Sequence, residues 1–126
     1  MSKKIMVVDD SRIAQLQLQK IISNTEYEVA ACCQSAEEAL AAYDKVLPDL
    51  VTMDIVMPGM DGLDAARLLL ETHPDAKILM ISSLAYDDTI DEAKRIGALG
   101  FVYKPFDQEQ LLKALEAAFS ETVAAH

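Results

Sequence analysis

Five short apolar runs punctuate the chain, at residues 5–8, 29–33, 50–53, 78–81 and 101–103. Each has strand length and is nearly continuous in hydrophobicity, the pattern of a strand buried on both faces, as in a parallel sheet clad by helices. Their starts lie 21 to 28 residues apart, which leaves room for one helix and two turns between neighbours. The intervening segments carry the helical period. Ser35 can cap a helix, with Glu38 completing a capping box, and Ala36, Ala39, Leu40, Tyr43 and Leu47 then fall on one face. Asp107 and Gln110 repeat that logic ahead of Leu111, Leu112, Leu115, Ala118 and Phe119. Weaker helical patterns run over 11–24, 62–72 and 88–96, with Pro74 and Gly97 closing the last two. Five strands alternating with five helices predict a doubly wound α/β fold, a parallel sheet with helices on both faces. One domain spans 1–126, and residues 121–126 are expected to fray.

Composition narrows the function. A hydrophobic content of 52% in 126 residues is enough for a core. The formal net charge of −10, from 21 acidic and 11 basic residues, disfavours direct contact with nucleic acid. Cys32 and Cys33 are adjacent, so in a strand they point to opposite faces and read as small core residues rather than a disulfide. Only four apolar residues separate Lys4 from Asp9, too few for a signal peptide. No apolar run approaches the roughly 20 residues of a membrane-spanning helix. A cytoplasmic protein is therefore expected.

Polar residues gather where the strands end. Asp9 and Asp10 follow the first run, Asp54 the third, Ser82 and Ser83 the fourth and Lys104 the fifth. In open α/β sheets the carboxyl ends of the strands are where ligands bind. Taken singly, each residue has an ordinary reading: a turn or helix cap for the aspartates, local backbone bonds for the serines, a solvated loop for Lys104. Brought together, three carboxylates call for a hard cation with oxygen ligands, such as Mg²⁺. A carboxylate can also act as a nucleophile toward phosphorus, with an amine and a hydroxyl to hold the phosphoryl oxygens. His73 reads as a helix-terminus residue, Met53, Met57 and Met60 as packing, and Tyr103 as a strand residue.

The segments MVVDDSR at 6–12, PDLVTMDIVMPGMDG at 48–62, ILMISS at 78–83 and GALGFVYKPF at 97–106 together resemble the response-regulator receiver family. The likeness covers nearly the whole chain. It implies the flavodoxin-like strand order 2-1-3-4-5, which spacing alone does not give. It also implies a phosphorylation-dependent switch of a two-component system rather than a turnover enzyme, one that catalyses its own phosphorylation and slow dephosphorylation. Asp54 would be the phosphoacceptor. Mg²⁺ would be held by Asp10 and Asp54 directly, by Asp9 through water, and by the backbone carbonyl of Val56. Lys104 would pair with the phosphoryl group, Ser82 would swing toward it, and Phe101 would be the switch aromatic, although a plain core aromatic is the ordinary reading of that residue. The Lys104–Pro105 peptide would be cis.

By the same resemblance the partners are a histidine kinase or histidine phosphotransfer protein and a downstream protein target. The readout surface is the fourth helix, fifth strand and fifth helix, and the protein is a monomer or a phosphorylation-dependent dimer. Val56 and Leu84 are apolar at positions that could otherwise orient an attacking water, which predicts slow loss of the phosphoryl group. A diffusible messenger, a relay intermediate and a receiver cut from a longer regulator all remain open, the start methionine favouring the first two. Two rivals come from other classes. Phosphatases of the haloacid-dehalogenase type also form an aspartyl phosphate, but with an Asp-x-Asp pattern after the first strand. Flavin-binding modules share the sheet, but want a hydroxyl- and amide-rich loop where this chain begins with two carboxylates.

Overall fold

A computed structural model describes residues 2–84 and 86–120. The expected fraying of 121–126 lies outside the described residues. The elements alternate as β1 (Lys4–Val8), α1 (Arg12–Ser23), β2 (Glu28–Cys33), α2 (Ala36–Val46), β3 (Leu50–Asp54), α3 (Gly62–Thr72), β4 (Ile78–Ser82), α4 (Asp87–Ile96), β5 (Gly100–Tyr103) and α5 (Gln108–Ser120). The strands form one sheet in the order β2-β1-β3-β4-β5, and every neighbouring pair is parallel. Each strand runs one residue beyond its apolar run, because Lys4, Glu28, Asp54, Ser82 and Gly100 continue the backbone ladder whatever their side chains. α4 likewise begins at Asp87, one residue before the apolar pattern suggests.

The period of two along each strand divides the core into two layers. Met6, Val8, Val51, Met53, Ile78 and Met80 pack on one face against Ala36, Ala39, Ala65, Ala66, Leu69 and Ala93 of α2, α3 and α4. Small alanines let these helices sit close to the sheet. Ile5, Val7, Leu50, Leu79, Ile81 and Val102 pack on the other face against Leu18, Ile21 and Ile22 of α1 and Leu111 and Leu115 of α5. Cys33 is buried in the first layer while Cys32 packs against the second, and both are free thiols. No helix among the described residues is long and apolar enough to cross a membrane.

Side-chain caps fix where the helices start. Ser11, Ser35 and Asp61 accept backbone N–H groups from Ala14, Glu38 and Asp64 at 3.2, 3.1 and 2.9 Å. Asp107 and Gln110 form a reciprocal box, with bonds of 2.9 and 2.8 Å. The box expected at Ser35 is altered: the extended Ser35 backbone brings the N–H of Gln34, not its own, to the Glu38 carboxylate at 3.3 Å. His73 caps α3, as its position suggests, with its ring 4.4 Å from that of Tyr43 and Nε2 3.2 Å from Asp44. The Lys104–Pro105 peptide is cis, in keeping with the resemblance.

Leu47 departs from the periodic reading. It does not extend the buried face of α2 but ends the helix in the left-handed conformation, φ 50° and ψ 59°, with its side chain 66% exposed. The Cβ of a branched residue is crowded there, and glycine is not. Leu47→Gly is therefore expected to stabilise the fold by about 0.5–1 kcal/mol, seen as a raised urea midpoint at unchanged slope.

Candidate functional site

Register brings the acidic residues abreast. Val8 of β1 pairs with Met53 of β3, so Asp9 and Asp54 are the next residues along adjacent parallel strands. Both are buried, at 2% and 7% exposure, whereas Asp10 lies exposed at the rim. One carboxylate oxygen from each of the three aspartates lies within 4.8 Å of the others. Lys104 enters from the far side of the sheet. Ser82 pairs with Tyr103, and the N–H of Lys104 donates to the Ser82 carbonyl at 3.0 Å, which carries the lysine to the same edge. Its Nζ lies 2.7 Å from Asp9 Oδ2 and 3.7 Å from Asp54 Oδ1. Asp9 Oδ1 meanwhile accepts the N–H of Ser11 at 2.9 Å.

Close carboxylates and burial leave a mark on Asp54. Its pKa is pushed from an ordinary 3.8 up to about 6, first by burial and then by the charge of Asp9, with Asp10 adding to the rise while Lys104 and the N–H of Ile55 oppose it. Three convergent hard oxygen donors suit a divalent cation such as Mg²⁺, which would relieve this repulsion.

The loop after Asp54 is shaped by one close approach. Gly62 donates its N–H to the Ile55 carbonyl at 2.8 Å, and a Cβ at Gly62 would lie 1.9 Å from the carbonyl oxygen of Asp54. No side chain fits there. Between these residues Val56 stands 54% exposed.

The side chains of Ser82 and Phe101 have other partners than the carboxylates. Ser82 is fully buried at the end of β4, and its hydroxyl accepts the N–H of Leu84 at 3.1 Å, so it is engaged with its own loop. Phe101 is half-buried on the α4 side of the sheet, with its ring 5.3 Å from that of Tyr103. Sequence reasoning missed Gln15, which is 1% exposed and donates to the carbonyls of Asp9 and Cys33 at 2.7 and 3.3 Å. The one signal for it is a polar residue in line with Leu18 and Ile22 on the apolar face of α1.

The family model of the response regulator receiver domain matches residues 5–116. The chain belongs to that family. It is 37% identical over 115 residues to the chemotaxis protein CheY of Listeria monocytogenes, spanning 91% of this chain and 97% of that protein. Among solved structures, one from the CheX–CheY–BeF3–Mg²⁺ complex of Borrelia burgdorferi superposes with a TM-score of 0.91 at 29% identity, covering 94% of this chain and 90% of that one. A two-component response regulator of the LuxR family from Aurantimonas sp. SI85-9A1 gives a TM-score of 0.91 at 31% identity, over 99% of this chain and 90% of that one. As a CheY-like receiver, the protein is a phosphoacceptor switch of two-component signalling and not a classical enzyme. Family membership sets aside the dehalogenase-type and flavin-binding alternatives.

The raised pKa gives the receiver a defined pH dependence. Asp54 binds its proton more tightly folded than unfolded, so the penalty for ionising it is absent below about 3.8, grows up to about 6 and is complete above that. With metal removed by a chelator, Asp54→Asn should raise stability at neutral pH by about 3 kcal/mol. Urea unfolding across the pH range should show this gain shrinking as the pH falls through 6 toward 4.

Proposed function

We propose that Asp54 of this receiver accepts a phosphoryl group from a histidine kinase or histidine phosphotransfer protein in the cytoplasm. In this reading residues 1–126 act as a single receiver domain, and the signal passes to a downstream protein through the surface of α4, β5 and α5. The observation that carries it is the meeting of three carboxylates within 4.8 Å at the strand ends, with Lys104 between Asp9 and Asp54.

Asp54 would supply the nucleophile. Burial and the neighbouring Asp9 raise its basicity, yet a pKa of about 6 leaves it ionised at neutral pH. One carboxylate oxygen forms a bond to phosphorus while the bond from phosphorus to the donor's imidazole nitrogen breaks. The electron pair leaves with that nitrogen, which takes up a proton. Asp9, Asp10, Asp54 and the backbone carbonyl of Val56 would hold Mg²⁺, which when bound supplies positive charge for the phosphoryl oxygens.

Lys104 stands 3.7 Å from Asp54 Oδ1, so a small swing from Asp9 lets its ammonium donate to a phosphoryl oxygen. The Ser82 hydroxyl accepts from Leu84 and keeps its own proton for donation. Turning that proton toward the phosphoryl group would favour a second packing in which Phe101 moves inward. The same residues would serve whether the donor is a protein phosphohistidine or a small acyl phosphate, so the receiver would catalyse its own phosphorylation.

Incubation with acetyl phosphate and Mg²⁺, followed by intact-mass measurement, should show one added phosphoryl group. A chelator or Asp54→Asn should abolish it, and labelling that persists in Asp54→Asn would reject the assignment. Loss of the group should be slow, because Val56 and Leu84 offer no polar atom to orient a water. Replacing both with polar residues should speed decay by about tenfold or more, and an unchanged decay rate would remove the role given to these positions.

A further inference from the structure

The chemistry proposed above leaves one buried polar side chain at the rim unused. Gln15 lies on the face of α1 that carries Leu18 and Ile22 into the core. A glutamine there costs desolvation that a leucine would not, unless its polar atoms are all paired. They are. Nε2 donates to the carbonyls of Asp9 at 2.7 Å and Cys33 at 3.3 Å, while Oε1 accepts from the Arg12 guanidinium at 3.3 Å. A single side chain thus ties the ends of β1 and β2 to the first turn of α1.

The bond to Asp9 bears on the site through backbone geometry. The carbonyl of Asp9 belongs to the planar peptide that joins Asp9 to Asp10, so fixing that oxygen fixes the plane and the direction in which both side chains leave the chain. The Asp9 carboxylate has further restraints in Ser11 and Lys104. Asp10 is exposed, and its bearing follows from the peptide that precedes it.

We infer that Gln15 is a positioning residue for the acid pair, orienting the Asp9–Asp10 peptide so that both carboxylates face the cation site. The inference rests on the reading of Asp9 and Asp10 as Mg²⁺ ligands. Supporting groups behind metal ligands typically change metal affinity about 10–100-fold when removed.

Calorimetric titration of Mg²⁺ into the wild-type receiver, Gln15→Met and Gln15→Lys tests it, with urea stability measured in parallel. Gln15→Met keeps the shape and loses the donor, so Mg²⁺ affinity should fall about tenfold. Gln15→Lys keeps a donor and should recover most of that loss. A Gln15→Met protein that is less stable but binds Mg²⁺ as tightly as wild type would overturn the inference, and so would equal weakening in both variants, which assigns the effect to packing. Absence of Mg²⁺ binding by the wild type would instead overturn the functional reading itself. Should Gln15→Met fail to fold, NMR of the wild type decides. The Gln15 side-chain amide should exchange slowly with solvent and shift on Mg²⁺ addition, whereas exchange as fast as that of exposed Gln17 with no shift would overturn the inference.

Discussion

Like charges are forced together at one edge of this sheet, and the rest of the molecule is arranged around that proximity. At an effective dielectric of about 20, two carboxylates roughly 4–5 Å apart repel by about 3–4 kcal/mol. The strain falls on Asp54, whose proton affinity rises to about 6 because it is buried beside Asp9. Lys104 offsets part of it from 2.7 Å, but bonds Asp9 rather than Asp54. The site is therefore held ready for positive charge by a scaffold that will not let the acids separate. The register of Val8 against Met53 makes separation impossible without breaking the parallel ladder between β1 and β3.

The scaffold meets this demand through packing on both faces. Ile5 and Val7 point into one layer while Met6 and Val8 point into the other, so β1 cannot slip by one residue without reversing every contact it makes. Gly62 adds a second fixed point. Because the chain passes so close to the carbonyl of Asp54, the loop that contains Val56 returns directly into α3 rather than spreading over the rim.

The sequence was legible where one side chain reports one local fact. Five apolar runs gave five strands, since burial on both faces leaves no polar alternation to confuse the reading. Asp9, Asp10, Asp54 and Lys104 stood out as charged residues ending apolar runs, and the structure brings them together. What stayed hidden depends on partners distant in the chain. Strand order follows from which crossovers pass over which face, and periodicity carries no such information; it came from family likeness. Leu47 matched the helical period, yet sits in a left-handed cap because α2 must stop before Pro48. Gln15 looked like one polar position among several on a weakly patterned helix, and its value lies in the carbonyls of Asp9 and Cys33 that the fold delivers to it.

The side of the sheet proposed for readout is built more loosely than the rim. α4 buries only Ala93 among its described residues, and the half-exposed Arg67–Glu92 pair at 2.8 Å adds a polar link to α3. Surface pairs of this kind contribute about 1 kcal/mol at most. Between α4 and β5 lies a cavity of about 90 Å³ bounded by Ile90, Ala93, Lys94, Ala98 and Phe101. Phe101 itself forms one wall of this space, so a turn of its ring would alter the packing between α4 and β5. A change of partner at Ser82, the last residue of β4 and hydrogen-bonded through its backbone to Lys104, would reach the surface by moving the least anchored helix of the fold.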